Sequence, residues 1–332
     1  MKTIRLAILS ATGTARKRTL PAVTAEALCE VVGVHGRDQG RLAKLADQFS
    51  VPHFSSDAAD LLDRSKPDFV LIGSPPMLHA EQIQLCLDRK IPILCEKPLC
   101  LATNVAVELR RKVIGSGVPF RLAHHLRHQP GVAALRRLLL EGNLGRLRGG
   151  SLQWGFWMNE AASNASWKMK PEEGGPNAFY DAGIHVVDLA LHLLPAPVAV
   201  SAMVGNSRFP RTLDHVAALL HCGGATMEIT ASQSVRNPCN DLVLDFENGT
   251  VRIPAAFGEL SFRKMHITTS QGTRIEEFPE TNLYAAEVRD FIGLMEGKAS
   301  AGTTIDEAVR GIQVLDALTE SYKRKAVVNL VE

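Results

Sequence analysis

The sequence predicts an α/β fold in two parts: a doubly wound, parallel-sheet domain over residues 1–122, then an α/β domain over 123–332 built on a mostly antiparallel sheet. Three observations carry this. Short continuous apolar runs alternate with helical patterns through the first part, the signature of a parallel sheet buried on both faces. Strand-like segments then follow one another, separated by hairpin-like breaks such as Cys222-Gly223-Gly224 and Glu247-Asn248-Gly249. A length of 332 residues suits about two domains of ordinary size.

In the first part, Ile4 to Leu9, Val31 to His35, Asp68 to Ile72, Ile91 to Cys95 and Pro119 to Ala123 read as strands. Helical patterns lie between them at Leu20 to Leu28, Arg41 to Phe49, His79 to Lys90 and Ala102 to Ser116. In the second of these helices Leu42, Leu45, Ala46 and Phe49 share one face. Right-handed crossovers between parallel strands give the doubly wound arrangement. A helix at Val132 to Glu141, stopped by Gly142-Asn143, opens the second part. Strands are then expected at Leu147 to Trp157, Val198 to Val204, His215 to His221, Gly224 to Ser232, Asp241 to Phe246, Gly249 to Ile253, Glu259 to Arg263 and Met265 to Thr269. Two helices close the chain, Ala285 to Glu296 and Ile305 to Lys323, the last opened by the capping-box pattern Thr304-x-x-Glu307.

Composition narrows the function classes. Apolar residues make up 45% and charged residues 22%, with a net charge of +2. Disorder, collagen and coiled coil are excluded, and no clustered Lys/Arg footprint points to nucleic acid. The six cysteines contain no CxxC pair and read as reduced thiols in a cytoplasmic protein. The longest apolar stretch, Val186 to Val204, holds Asp188, His192, Pro195 and Pro197, so no membrane partner is expected.

Ligands of doubly wound sheets bind at the carboxyl ends of the strands. The first strand exits through Ser10-Ala11-Thr12-Gly13-Thr14-Ala15, where a dinucleotide-binding G-x-G-x-x-G/A turn belongs. Only Ala15 keeps its place, and Ser10 and Thr12 stand for the first two glycines. The segment reads either as an ordinary polar turn or as backbone N–H groups of Gly13 to Ala15 receiving phosphates, assisted by the hydroxyls of Ser10, Thr12 or Thr14. The second exit carries Gly36 where an NAD site wants an acid, followed by Arg37. That pairing favours a ribose 2′-phosphate and hence NADP, with NAD as the alternative. The third exit is Gly73-Ser74-Pro75-Pro76-Met77-Leu78-His79, and the fourth ends on two charges, Glu96-Lys97, before Pro98.

Gly174-Gly175-Pro176 leads into Asp181-Ala182-Gly183-Ile184-His185 and on to Asp188. In a helical segment Asp181 and His185 share a face, a spacing that serves proton exchange or a plain structural hydrogen bond. The ordered series Ser74-Pro75-x-x-x-His79, Glu96-Lys97-Pro98 and Asp181-x-Gly183-x-His185 resembles the Gfo/Idh/MocA oxidoreductases, the group of glucose–fructose oxidoreductase and inositol dehydrogenase. The resemblance covers nearly the whole chain, although the first glycine turn departs from the family norm.

The resemblance implies a Rossmann domain followed by an α/β domain with a large open sheet that commonly forms homodimer or homotetramer contacts. It implies a substrate among sugars, amino sugars and cyclitols, and hydride transfer at a secondary alcohol. It maps a catalytic trio onto Lys97, Asp181 and His185, which would also touch substrate. Cofactor contacts fall on Ser10, Thr12, Gly13, Thr14, Ala15, Gly36, Arg37, Ser74, Pro75, His79, Glu96, Lys97 and Trp167. Arg127, in His124-His125-Leu126-Arg127-His128, is a further substrate candidate, and no metal site is expected there. Trp154, Trp157 and Trp167 form either a sugar-stacking platform or ordinary packing. A cofactor-binding regulator, or NAD-dependent glycoside cleavage by transient oxidation, is the alternative on the same scaffold.

Overall fold

The computed structural model describes residues 3–159, 167–209 and 211–330. The chain divides into two compact units. The first comprises Met1–Cys100, Asn104–His125 and Tyr284–Val309; the second comprises Leu101–Thr103, Leu126–Leu283 and Arg310–Glu332.

The first unit is a six-stranded Rossmann sheet of β1 Arg5–Leu9, β2 Glu30–His35, β3 His53–Ser55, β4 Phe69–Ile72, β5 Ile93–Glu96 and β6 Phe120–Ala123. Its order is β3-β2-β1-β4-β5-β6, and every pairing is parallel. Leu6, Ile8, Val34, Phe69, Leu71 and Leu94 are buried in its core. β3 and the helix Ala58–Ser65 are absent from the sequence expectation. Three residues are too few to show a period of two. The helix start does carry a signal, since Asp57 caps it by accepting from the N–H groups of Ala59 (2.8 Å) and Asp60 (3.0 Å).

The expected division at residue 122 assigned the whole C-terminal part to the second domain. The structure instead groups Tyr284–Val309 with the first unit. Burial explains this. The helix Leu283–Met295 sends Val288 and Phe291 into the parallel-sheet core, where the Phe291 ring lies 5.5 Å from that of Phe69. Full burial of such side chains contributes about 1.5–3 kcal/mol each. Thr303 then adds a bridge to β6, its carbonyl accepting from the Leu122 N–H at 2.9 Å.

The second unit holds a mixed, mostly antiparallel sheet, nine-stranded among the described residues. Its strands are β7 Leu147–Gly155, β8 Pro197–Val204, β9 His215–Cys222, β10 Ala225–Ser232, β11 Leu242–Phe246, β12 Gly249–Ile253, β13 Lys264–Thr269, β14 Gly272–Glu277 and β15 Val328–Asn329. The order is β14-β13-β12-β11-β7-β10-β9-β8-β15, and β7 and β10 form its parallel pair. Val216, Ala218 and Leu220 of β9 and Met227, Ile229 and Ala231 of β10 alternate onto one buried face. The helix Gly183–Leu193 lies on that face and buries every residue from Gly183 to Ala190. A side chain at Gly183 would overlap the Phe179 ring and press on Ala231, so glycine permits this close approach.

Two strand expectations need correction. Glu259–Arg263 is not a strand. The buried Gln129 side chain holds this stretch instead, accepting from the Phe262 N–H (2.9 Å) and donating to the Ala256 carbonyl (3.1 Å). β14 was not expected because its residues are mostly exposed and show no apolar alternation. It forms by pairing with β13, where the Thr268 and Thr273 hydroxyls meet at 2.9 Å and Lys264 pairs with Glu277 at 3.0 Å. The capping box at Thr304 forms as expected: Glu307 accepts from the Thr304 N–H at 2.8 Å and Thr304 Oγ accepts from the Glu307 N–H at 3.3 Å.

Candidate active site

In the first unit, the carboxyl ends of the strands gather the expected dinucleotide residues. Ser10 takes a left-handed φ of 59°, the conformation the missing glycine would adopt without strain. His35 secures this turn twice, its carbonyl accepting from the Ala11 N–H (2.8 Å) and its Nδ1 from the Ser10 N–H (3.2 Å). Burial holds the His35 imidazole below the usual histidine range, which keeps Nδ1 an acceptor. The short helix Thr14–Lys17 begins at Gly13 with no side-chain cap. Its first N–H groups therefore lack an intrahelical partner, and Gly13 has open space around it.

At the second exit, a Cβ on Gly36 would lie 3.3 Å from Leu42 and 3.5 Å from the Thr12 methyl. The Leu42 contact is tighter than an ordinary one, whereas the Thr12 methyl is at normal van der Waals distance. Arg37 beside it is exposed, with no ion pair among the described residues. A cleft of about 790 Å³ opens on the same side, lined in part by His35, Ser56, Asp57, Leu78 and Gln82.

The third and fourth exits are tied together. Ser74 Oγ donates to Gln82 at 2.8 Å. His79 is fully buried, with Nε2 2.9 Å from the Ser74 carbonyl and Nδ1 3.2 Å from the Leu99 carbonyl. Its ring therefore fixes the two loops from within and has no exposed edge for a dinucleotide. Burial holds its pKa below the usual value. Lys97 and Glu96 are half-buried at the end of β5, and the Lys97–Pro98 peptide is cis. Burial pushes the Cys86 thiol up to about 12 and Cys95 well above its ordinary value, so neither is a thiolate nucleophile.

In the second unit, the chemistry-bearing segment is built in steps. Asn177 Oδ1 accepts from the Phe179 N–H at 2.9 Å and starts the 3-10 turn Ala178–Tyr180. Tyr180 donates its hydroxyl to Asp316 at 2.8 Å on the closing helix Ile305–Arg324. Asp181 follows that turn and precedes the helix that begins at Gly183, so it and His185 do not sit on one continuous helical face. The Asp181 carboxylate is clamped on both oxygens: Lys168 Nζ donates to one at 2.7 Å and Gln233 Nε2 to the other at 3.0 Å. His185 stands in the first turn of the helix, 5% exposed, its ring centroid 4.5 Å from that of Trp154. The resemblance places the pair Trp167-Lys168 where the family often has Trp-Arg near the nicotinamide, without assigning Lys168 a role, and nothing local marks Gln233.

Arg127 is placed differently from the expectation of a substrate contact. Its Nε and Nη2 each donate to Asp188 at 2.8 Å, and the two side chains are 1% and 5% exposed. This bidentate pair ties the turn His125–His128 to the helix Gly183–Leu193 and leaves no exposed guanidinium edge. The three tryptophans do not form one platform. Trp154 packs on His185, Trp157 packs against Arg208 and Arg236, and Trp167 sits beside Lys168. Among the described residues no group of His, Cys, Asp or Glu is placed to hold a metal, and no helix is long and apolar enough to cross a membrane.

Comparison with known proteins agrees with this architecture. Residues 4–124 match the oxidoreductase family NAD-binding Rossmann fold, and residues 132–252 match the GFO/IDH/MocA C-terminal domain. The chain belongs to the Gfo/Idh/MocA family, NAD(P)-dependent oxidoreductases of sugars and cyclitols. It is 26% identical to a D-xylose 1-dehydrogenase (NADP(+)) of Haloferax volcanii, across 97% of this chain and 98% of that one. It is 22% identical to a scyllo-inositol 2-dehydrogenase (NADP(+)) of Bacillus subtilis, across 88% and 91%. Its fold is that of the aldose-aldose oxidoreductase of Caulobacter crescentus, solved with glycerol: the TM-score is 0.89 at 20% identity, across 99% of this chain and all of the other.

Proposed function

We propose that the chain moves hydride between NADP and a secondary alcohol or ketone of a sugar, amino sugar or cyclitol. The observation that carries this reading is the Asp181 carboxylate, clamped by Lys168 and Gln233 ahead of a helix that presents His185 from its first turn. A carboxylate held in one orientation four residues before a packed imidazole suits the task of orienting that base or a substrate hydroxyl. Steady-state turnover of nicotinamide cofactor against a panel of aldoses and cyclitols tests it, and binding of cofactor without turnover would point to a regulator.

The first unit fits a dinucleotide on its own geometry. The uncapped N–H groups after Gly13 suit a pyrophosphate, together with the hydroxyls of Ser10, Thr12 and Thr14 and the close packing of Ala15. Gly36 and Arg37 suit a 2′-phosphate. Ser74, Pro75, Glu96 and Trp167 are the remaining proposed contacts, with His79 acting by holding the loop. When bound, the nicotinamide accepts or returns the hydride. Arg37→Ala is expected to weaken NADP at least about ten-fold more than NAD, the loss of one charge-assisted contact. Equal loss of both in a fluorescence titration would reject the 2′-phosphate assignment.

His185 takes the hydroxyl proton during oxidation, Lys97 holds the oxygen as negative charge develops, and Asp181 orients the acceptor. A general base must be unprotonated to take the proton, so the acid limb of the pH–rate profile is assigned to His185 in this proposal. His185→Ala is expected to flatten that limb as well as lower kcat, and a surviving limb would place the base elsewhere. The open face of the second sheet, where Met203 and Leu219 stay exposed, is the proposed surface of a homodimer or homotetramer.

A further inference from the structure

The turn that leaves β1 departs from the dinucleotide pattern at its first glycine, and one side chain at the end of β2 meets that departure. Ser10 stands in the glycine's place with a φ of 59°, a left-handed conformation that the Cβ of an L-residue disfavours. The backbone on either side is fixed: the Leu9 carbonyl accepts from the Gly73 N–H at 2.9 Å, and the Ala11 N–H donates to the His35 carbonyl at 2.8 Å. Between them the Ser10 N–H donates to His35 Nδ1 at 3.2 Å. The same imidazole bonds the Ser56 backbone and lines the cleft of about 790 Å³ that opens on this side. His35 therefore reaches both the turn and the cleft with one ring.

The bond to Ser10 depends on the ring being neutral. Nδ1 accepts through its lone pair, whereas an imidazolium carries a proton on each nitrogen and would face the Ser10 N–H donor to donor. Burial favours the neutral ring and holds its pKa below the usual histidine value, while the bond to the Ser56 backbone and the charge of Asp57, ahead of the helix Ala58–Ser65, act the other way. Arg37 follows two positions along the chain, and Glu81, Asp88 and Lys112 line the same cleft. These charges move the titration, but only an unprotonated nitrogen receives the Ser10 N–H. A glycine at position 10 would adopt this φ unaided, so the need for the brace comes with the serine.

We propose that His35 is a positioning residue for the dinucleotide: its neutral ring holds Ser10 in the left-handed turn that a glycine would otherwise supply, and protonation of the ring releases the turn and weakens the cofactor. This rests on the dinucleotide reading of the first unit. NAD is the probe, because the 2′-phosphate of NADP itself titrates near about pH 6. Calorimetric titration of the full chain with NAD should show a steady affinity above neutrality. The affinity should then fall about five-fold as the pH drops through the depressed pKa of the ring, the worth of one hydrogen bond.

His35→Ala should bind NAD about five-fold more weakly at neutral pH and lose the acid fall. Asn places an acceptor oxygen close to the position of Nδ1 and does not titrate, so His35→Asn should recover part of the affinity without the fall. In the Ser10→Gly background, His35→Ala should weaken binding by about two-fold or less. An affinity that rises in acid would show an imidazolium drawing the pyrophosphate and overturns the proposal, as does an equal loss from His35→Ala in both backgrounds. Amide hydrogen exchange of the free chain reads the brace without cofactor: residues 10–15 should exchange faster in His35→Ala and at an intermediate rate in His35→Asn. If they do and no variant binds NAD, the dinucleotide reading fails while the brace stands. If NAD binds equally well to the parent chain and to His35→Ala, the brace fails and that reading stands.

Discussion

Lys97→Ala is expected to lower kcat on the order of 10²-fold or more while leaving the cofactor KM within a few-fold. The oxygen of a carbinol losing hydride and proton passes through alkoxide character, and a fixed ammonium there stabilises the transition state more than the ground state. Removing one such donor costs enzymes about 10²–10³ in rate. Lys97 is half-buried and lies at the end of β5, outside the apolar core, so the variant should keep its fold. Lys97→Arg retains the charge and should recover part of the rate. Near-normal kcat in Lys97→Ala would remove this residue from the chemistry.

Arg127→Met is expected to destabilise the protein by about 3–5 kcal/mol. The substitution strands the buried Asp188 carboxylate, whose desolvation was offset by two hydrogen bonds of 2.8 Å. Replacing both partners, as in Arg127→Met with Asp188→Leu, should recover most of that loss, because an apolar pair of similar volume needs no compensation. Urea unfolding midpoints of the three proteins decide the matter. The same variants separate structure from recognition. If the guanidinium serves the fold, the double variant keeps its substrate KM; a KM raised ten-fold in that stable double variant would return Arg127 to the binding site.

Much of the fold was legible because the Rossmann strands are buried on both faces and spell out apolar runs. Phe69–Ile72 is buried at every position, and such a run admits few other readings. The misses have physical causes. β3 is three residues long, and β14 is an exposed, charged edge whose pairing comes from its neighbour. The stretch Glu259–Arg263 has strand-like residues but is held by Gln129, more than a hundred positions earlier in the chain. The candidate site divides the same way. Asp181 and His185 stood out by spacing, whereas Lys168 and Gln233 lie 13 and 52 residues from the carboxylate they clamp.

Residue order alone was enough to assign the doubly wound half, the antiparallel character of the second sheet and the three short motifs that mark the family. Those features are local: side-chain periodicity reports which face is buried, and a motif keeps its spacing wherever the chain goes. Folding in three dimensions decided the partnerships. It placed Arg127 on Asp188 instead of on a ligand, turned His79 inward to brace two loops, and brought Arg208 and Arg236 against the Trp157 ring. Hydrogen bonds and ion pairs are made by whichever groups burial brings together, and the sequence distance between such groups carries no trace of the contact.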